Sequence, residues 1–348
     1  MKVLGIIPAK GISVGIQLGI VVGDRGSAQE LLASSAELSK RFTLQWFADP
    51  NGIGKDLLRS AGISYEARLP SVADVMPLLI GVSATAVEWQ IKWTKHGRKN
   101  GQPVIWLEDL WGTGSRSQTR CVDPTHMLVN DTTAGRLARS VRPGLPVFHV
   151  GKPTFERDIA LVAKHEAERT RLRRSIDADE QFIVSYWSGG NPDRVRIHVD
   201  ALRAISGVRV LCLWHQKLKY TVKDDNRERL TPPQLIALSD AIVAEWGGTQ
   251  GYLGALCGRP TVVMMFPDDL RERVACGFTD GDTPLTNSCG LAARDPEQLA
   301  ESIAAIRDNY CKYVALTVSA VRQDFSSILR PGAASRIAEA TSSILGDI

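Results

Sequence analysis

Short apolar runs alternate with segments of helical period along almost the whole chain. Ile16–Val22, Thr43–Phe47 and Val104–Leu107 read as strands, and a further strand lies within Val75–Val82. Between them, Ser27–Lys40, Gly54–Ala61 and Thr85–Lys99 carry the 3.6-residue spacing of helices. Met127–Asn130, Thr132–Val141 and Val147–Val150 continue the run as strand, helix and strand. The strand segments are continuously apolar rather than alternating, as expected of strands covered on both faces. The pattern is the βαβα rhythm of a parallel sheet flanked by helices.

The segment Lys152–Glu180 breaks the rhythm. It opens on Lys-Pro and continues as one charged helix, Arg157–Arg174, expected to be a solvated connector, so a boundary falls near Gly151–Thr154. The rhythm then restarts, with strands at Phe182–Trp187, Arg209–Leu213, Ala241–Glu245 and Thr261–Met265 and helices at Arg194–Ile205, Pro233–Ser239, Thr249–Leu256 and Pro296–Asp308. Helical segments run on to the end. The expected architecture is α/β, with two Rossmann-like doubly wound domains facing a cleft: residues 1–152, residues 153–325, and a last helix in 326–348 that crosses back to the first domain. Open α/β sheets bind ligands beyond the carboxyl ends of their strands, so the cleft is the expected site.

Composition narrows the class. With 44% hydrophobic and 23% charged residues among 348, the chain can bury a large core and is not a disordered type. A net charge of +4 is too slight for a dedicated nucleic-acid binder. The cysteines at 121, 212, 257, 276, 289 and 311 form no CxxC pair and read as reduced, buried small hydrophobes of a cytosolic protein rather than a metal site. The first residues lack the pattern of a secretory signal, and no window of ~18 residues is apolar enough to span a bilayer, so a cytoplasmic location is expected. Arg171, Arg173 and Arg174 read as a solvated face, with acidic lipid headgroups at a membrane surface as the alternative partner.

Three Gly-rich turns stand at the carboxyl ends of predicted strands: Val22-Gly-Asp-Arg-Gly-Ser-Ala28, Trp187-Ser-Gly-Gly-Asn-Pro192 and Trp246-Gly-Gly-Thr-Gln250. Glycine admits close approach of a ligand, and the amides opening the next helix favour an anion, most commonly phosphate. Such loops also need Gly and Ser/Thr simply to turn and to cap. None matches GxxxxGK[ST] or a clean GxGxxG, which disfavours a P-loop enzyme and an ordinary dehydrogenase. In the third turn Glu245 is placed to accept the hydroxyls of a ribose, and Gly247, Gly248, Thr249 and Gln250 to meet a pyrophosphate, with Ser188, Gly189 and Gly190 beside them.

The stretch AEWGGTQGYLGALCGRP, from Ala244 to Pro260, resembles the donor-site motif of GT-B-fold enzymes that handle nucleotide-sugars, a superfamily that includes UDP-N-acetylglucosamine 2-epimerase. The resemblance is sharp over about Asp240–Pro267 and architectural elsewhere. It implies a nucleotide-diphospho-sugar substrate, with UDP the expected nucleotide and no separate cofactor or metal. By position it assigns Gly247, Gly248, Thr249 and Gln250 to the phosphate turn, Ser188, Gly189 and Gly190 to the preceding Gly-rich loop, and Trp214 and His215 to the base. Trp246 stands where the epimerase has a serine.

Transfer to an acceptor needs a base. Asp24 faces the presumed cleft or else caps the helix at Ser27. Asp109, in Trp106-Leu-Glu-Asp-Leu-Trp111, ends a strand beside Glu108 and is either a base or a turn residue. His149 reads as packing, and His215 as a base or phosphate contact. Trp106 reads as core, while Trp111 is a candidate for stacking on a sugar. Asp224-Asp225 and Asp268-Asp269 read as solvated turns, and Arg271 and Arg273 reach either phosphate or solvent. The expected activity is a glycosyltransferase acting on an unidentified glycan, lipid or small-molecule acceptor. The alternatives are an epimerase or hydrolase of the same fold, or a two-lobed binding protein without chemistry.

Overall fold

Strands that read as unbroken apolar runs are buried along their length: every residue of β3 (Leu78–Val82) and β4 (Val104–Glu108) is covered. They lie in the middle of a six-stranded parallel sheet with β1 (Gln17–Val22), β2 (Thr43–Ala48), β5 (His126–Val129) and β6 (Val147–His149), in the order β2-β1-β3-β4-β5-β6. A second parallel sheet holds β7 (Phe182–Trp187), β8 (Val208–Leu213), β9 (Ala241–Glu245), β10 (Thr261–Met264) and β11 (Leu291–Ala293), in the order β11-β10-β9-β7-β8. The computed structural model describes residues 15–83, 85–188, 191–213, 230–246, 248–266 and 283–346. Among these, no helix is long and apolar enough to cross a membrane.

Crossover helices cover both sheets. The first lobe carries α1 (Arg25–Ser39), α2 (Gly54–Ser60), α3 (Val87–Lys99) and α4 (Thr132–Val141). The charged connector differs from the single solvated helix expected. It is two helices, α5 (Pro153–Glu166) and α6 (Arg169–Arg174). Helix α5 starts at Pro153, where a missing N–H costs nothing, and its first turn buries Thr154 and Phe155. Arg169 and Arg173 both bond the Asp240 carboxylate, which also accepts the Ile183 amide at 2.8 Å. Of the three arginines expected on a solvated face, Arg171 and Arg174 are exposed, at 75% and 72%, and Arg173 is not. Cys121 and Cys311 are likewise exposed rather than buried.

The second lobe continues with α7 (Pro192–Arg203), α8 (Pro232–Leu238), α9 (Thr249–Leu256), α10 (Pro296–Asp308), α11 (Tyr310–Asp324) and α12 (Ser326–Leu329). The chain then returns to the first lobe. Helix α13 (Ala333–Gly346) sets Ile337, Ala338, Ile344 and Leu345 into the core built by Leu18, Ile20 and Leu31. Its start is held by the Glu156 carboxylate of α5, which accepts the amides of Gly332 at 2.9 Å and Ala333 at 3.1 Å.

Lys152, the residue before α5, is 1% exposed. Its ammonium lies 2.5 Å from Glu30 Oε1 of α1 and 3.2 Å from Asp109 Oδ1, and donates to the Asp109 carbonyl at 2.6 Å. The Thr154 amide and hydroxyl both donate to the same Glu30 carboxylate. Burial works against the Lys152 charge, but Glu30 and Asp109 outweigh it and hold its pKa above the usual lysine value. Removing the cation strands a buried carboxylate, a loss that typically costs about 3–5 kcal/mol. Lys152→Met is therefore expected to lose stability on that scale in urea unfolding, whereas Lys92→Met, which breaks an exposed pair with Glu88, is expected to change it by under about 1 kcal/mol.

Candidate functional site

In the second lobe β9 ends at Glu245, and the chain turns through Trp246 and Gly248 into α9. Trp246 adopts φ 55°, in the left-handed region that a bulky side chain seldom enters. Its ring is buried and meets Phe266 edge-on at 6.3 Å. Gly248 is the N-cap of α9, with no side-chain cap. Among the described residues, a Cβ there would find only the Glu245 carbonyl, at 3.8 Å. The amides of a helix's first turn have no intrahelical acceptor and carry the positive end of its dipole. Because β7 and β9 are neighbours in register Trp187↔Ala244, Ser188 lies beside this turn. Ser188 Oγ and Gln250 Oε1 are both buried without a hydrogen-bond partner. The first turn of a helix, with two buried side-chain polar atoms lacking a partner beside it, is suited to a polar, anionic ligand.

Glu245 is 7% exposed, and its Oε1 accepts the Tyr186 hydroxyl at 2.7 Å. Tyr186 in turn lies 2.7 Å from His198 Nδ1. Burial, helped by Arg194, pushes His198 down to about 4, so the ring is neutral near pH 7. The Arg194 guanidinium sits 3.7 Å above the Phe266 ring, which stacks on His198. Glu245 is thus anchored downward into the lobe by a relay that the sequence did not reveal. Gly189, Gly190, Trp214, His215 and Gly247 lie outside the described residues, as do Asp224-Asp225, Asp268-Asp269, Arg271 and Arg273.

In the first lobe Asp24 is the N-cap of α1: its Oδ1 accepts the Ser27 amide at 3.2 Å and its Oδ2 the Thr85 hydroxyl at 2.8 Å. The capping alternative read from the sequence is realised. Asp109 sits at the end of β4 against Gly26, where a Cβ would come within 2.1 Å of Oδ2; only glycine lets the carboxylate reach the start of α1. The Asp109 side chain is 13% exposed. Burial pushes it up to about 6 against the pull of Lys152, with repulsion from Asp24 and Glu30 adding to the rise. Glu108 points the other way. It is fully covered, accepts the Gly114 amide at 3.1 Å, and is pushed up to about 8 by burial, with Asp131 and Asp109 adding repulsion.

The lobes meet at four aromatic rings. Trp111, beyond β4, stacks on Tyr252 of α9 with centroids 4.0 Å apart and planes at 18°. Phe155 of α5 and Phe325, between α11 and α12, pack around them at 6.1–6.4 Å. The Trp111 indole donates to Asp131 Oδ2 at 2.8 Å. Trp111 therefore meets the other lobe rather than an open sugar pocket. Trp106 is core, donating to Thr94 at 2.9 Å beneath Arg142. His149 is exposed on edge strand β6, leaning on Gly135 of α4. Among the described residues, no cluster of His, Cys, Asp and Glu is arranged to hold a metal.

No family model matches the chain, and no curated protein matches it in sequence. Solved structures do match over nearly its whole length. HepE from Anabaena, in complex with UDP and glucose, is 15% identical with a TM-score of 0.59, over 94% of this chain and 100% of that one. A proposed UDP-N-acetylglucosamine 2-epimerase from Listeria monocytogenes is 13% identical at 0.61, over 96% and 98%. S. aureus MnaA in a structure with UDP is 11% identical at 0.64, over 96% and 98%. The chain has the two-lobed GT-B fold that the motif implied.

Glu108 generates a prediction independent of any substrate. Its folded-state pKa is raised from 4.5 to about 8, so the folded chain holds a proton that the unfolded chain releases. That stability is full below about 4.5 and is lost as pH rises towards 8. Glu108→Gln keeps the neutral shape without the titration. Between about pH 6 and about pH 9 the Tm of the unaltered protein is expected to fall by a few degrees more than that of the variant in thermal scans.

Proposed function

We propose that the protein is a glycosyltransferase that moves a sugar from a nucleotide-diphospho-sugar, with UDP as the nucleotide, to an acceptor hydroxyl. The observation that carries this reading is the start of α9 at Gly248, without a side-chain cap, beside the buried, unpartnered Ser188 hydroxyl. The fold shared with proteins crystallised with UDP supports it.

In this reading the turn of Gly247, Gly248, Thr249 and Gln250, with Ser188, Gly189 and Gly190, faces the diphosphate; the Gly248 amide is taken by the Glu245 carbonyl at 3.3 Å, so the Thr249 and Gln250 amides are the ones that meet it. They stabilise the negative charge that grows on it as the bond to the sugar breaks, which is where fixed dipoles accelerate a reaction most. Asp109 takes the proton of the acceptor hydroxyl as that oxygen bonds to the sugar carbon. The electron pair of the broken bond leaves on the nucleotide diphosphate. Asp24 caps α1 and sets the charge environment of Asp109. Trp214 and His215 are assigned to the base. Glu245 supports the turn from below, and the ribose contact expected of it would fall to its edge facing the turn.

A base near 6 is ionised at neutral pH yet still basic enough to accept a proton. The rate kcat/KM is expected to be level above about 6 and to fall about tenfold per pH unit below it. Asp109→Asn is expected to lower kcat by about 10²–10⁴-fold with little change in the affinity for UDP measured by calorimetry. Gly248→Ala tests the turn. Among the described residues the added methyl meets nothing closer than 3.8 Å, so Tm should hold, while UDP binding should weaken about tenfold as the methyl fills the ligand's space.

Likeness to the Listeria protein favours a second reading, epimerisation or hydrolysis at the same site. Incubation with UDP-sugars, with and without acceptors, separates the readings. Nucleotide released only with an acceptor supports transfer. Free sugar without one supports hydrolysis, and an altered sugar on intact nucleotide supports epimerisation. Binding with no turnover under any condition favours the non-catalytic, two-lobed reading.

A further inference from the structure

A second space opens between the lobes, apart from the α9 turn. It is a cavity of about 260 Å³. Thr132, Thr133 and Arg136 of α4 form its first-lobe wall, and Asn287, Ser288 and Asp324 face them from the second lobe. Phe325 closes one side and is the same ring that packs on Trp111 and Tyr252, so the cavity adjoins the aromatic junction.

The charges lining it are uncommitted. Among the described residues, neither Arg136 nor Asp324 makes a hydrogen bond or ion pair, although both face the same cavity. The Ser288 hydroxyl is shielded from solvent and has no partner beyond the adjacent Cys289 thiol, a weak hydrogen-bonding group. The dipole of α4 adds little for an anion, because the Asp131 carboxylate already caps the Ala134 amide at 2.8 Å.

These features select a ligand class. A simple anion would be repelled by Asp324, and a simple cation by Arg136. An acyl chain would find one aromatic ring among polar groups. A hydroxylated ring suits all of them, since each hydroxyl both donates and accepts, and Arg, Asp and Asn offer paired polar atoms to neighbouring hydroxyls. Size agrees: drug-sized ligands fill about 300–1,000 Å³, so 260 Å³ takes one ring.

Position assigns the ring its role. The cavity begins where β5 runs into α4, and β5 is the neighbour of β4, which Asp109 directly follows. Asn130, between β5 and α4, points its amide at the Asp109 carbonyl, 3.5 Å away. We propose that this cavity holds a single pyranose ring of the acceptor, between Arg136 and Asp324. The proposal rests on the nucleotide-sugar reading for its role as acceptor, but not for binding.

Saturation-transfer NMR on the full chain tests it, using the methyl pyranosides of glucose, galactose, mannose and N-acetylglucosamine as probes. At least one is expected to receive saturation from the unaltered protein without UDP. Arg136→Ala and Asp324→Ala, both on exposed side chains, are each expected to reduce that signal at least about tenfold with Tm and UDP affinity unchanged. No transfer to any of the four, or transfer that survives both substitutions, overturns the proposal. If glycosides bind as expected but the protein does not bind UDP, the sugar site stands and the donor reading fails. If UDP binds and no glycoside does, the reverse holds.

Discussion

One ammonium between two buried carboxylates fixes the first lobe's half of the cleft. Lys152 draws Glu30 of α1 and Asp109 at the end of β4 to the point where the chain leaves the first sheet for α5. Such a cluster is weak evidence for stability, since desolvation offsets much of the attraction. Its value here is register. It ties helix, strand end and connector to a common point, and Thr154 adds two further bonds to Glu30. The same cluster sets the chemistry available at Asp109. Burial raises that carboxyl, Lys152 restrains the rise, and the balance leaves it at about 6. A carboxylate exposed on the same loop would sit near its ordinary value of 3.8 and be a poorer base.

The second lobe also meets this frame through aromatic rings. Trp111 and Tyr252 stack across the gap, and each aromatic buries about 150–250 Å². Asp131 fixes the Trp111 indole while capping α4. The stack therefore sets the spacing between α9 and the carboxyl ends of β4 and β5.

The parts of this arrangement legible in the sequence are those encoded locally. Continuous apolar runs marked the buried parallel strands, and paired glycines followed by helical period marked the turn at α9, because backbone approach and helix capping are local demands. The break of the connector at Ala167 and Glu168 was not legible: helical period runs through it, and α6 is redirected by the bonds from Arg169 and Arg173 to Asp240, about seventy residues away. Lys152 before a proline looks like a solvated boundary residue; nothing nearby announces Glu30 or Asp109 as its partners. Trp111 looked available to a sugar because Tyr252, which covers it, lies in the other half of the chain. Asp24 offered two readings, and the cap is visible because it is an i to i+3 relation.

The turn at Trp246 shows how such long-range partners make a local motif rigid. A tryptophan at φ 55° costs of order 1–3 kcal/mol and persists only where its surroundings over-determine it. Here they do. The Trp246 amide is held by the Met264 carbonyl at 2.8 Å, its ring is pinned against Phe266, and the preceding Glu245 is tied to Tyr186. With the Tyr186 proton committed to Glu245, its oxygen is left to accept from His198, which must carry its proton on Nδ1. A neutral His198 supplies that donor without adding a second buried charge. Every group below the turn is thus satisfied inward. The turn that opens α9 is thereby fixed in place, and dipoles fixed in advance need no reorganisation when negative charge develops against them.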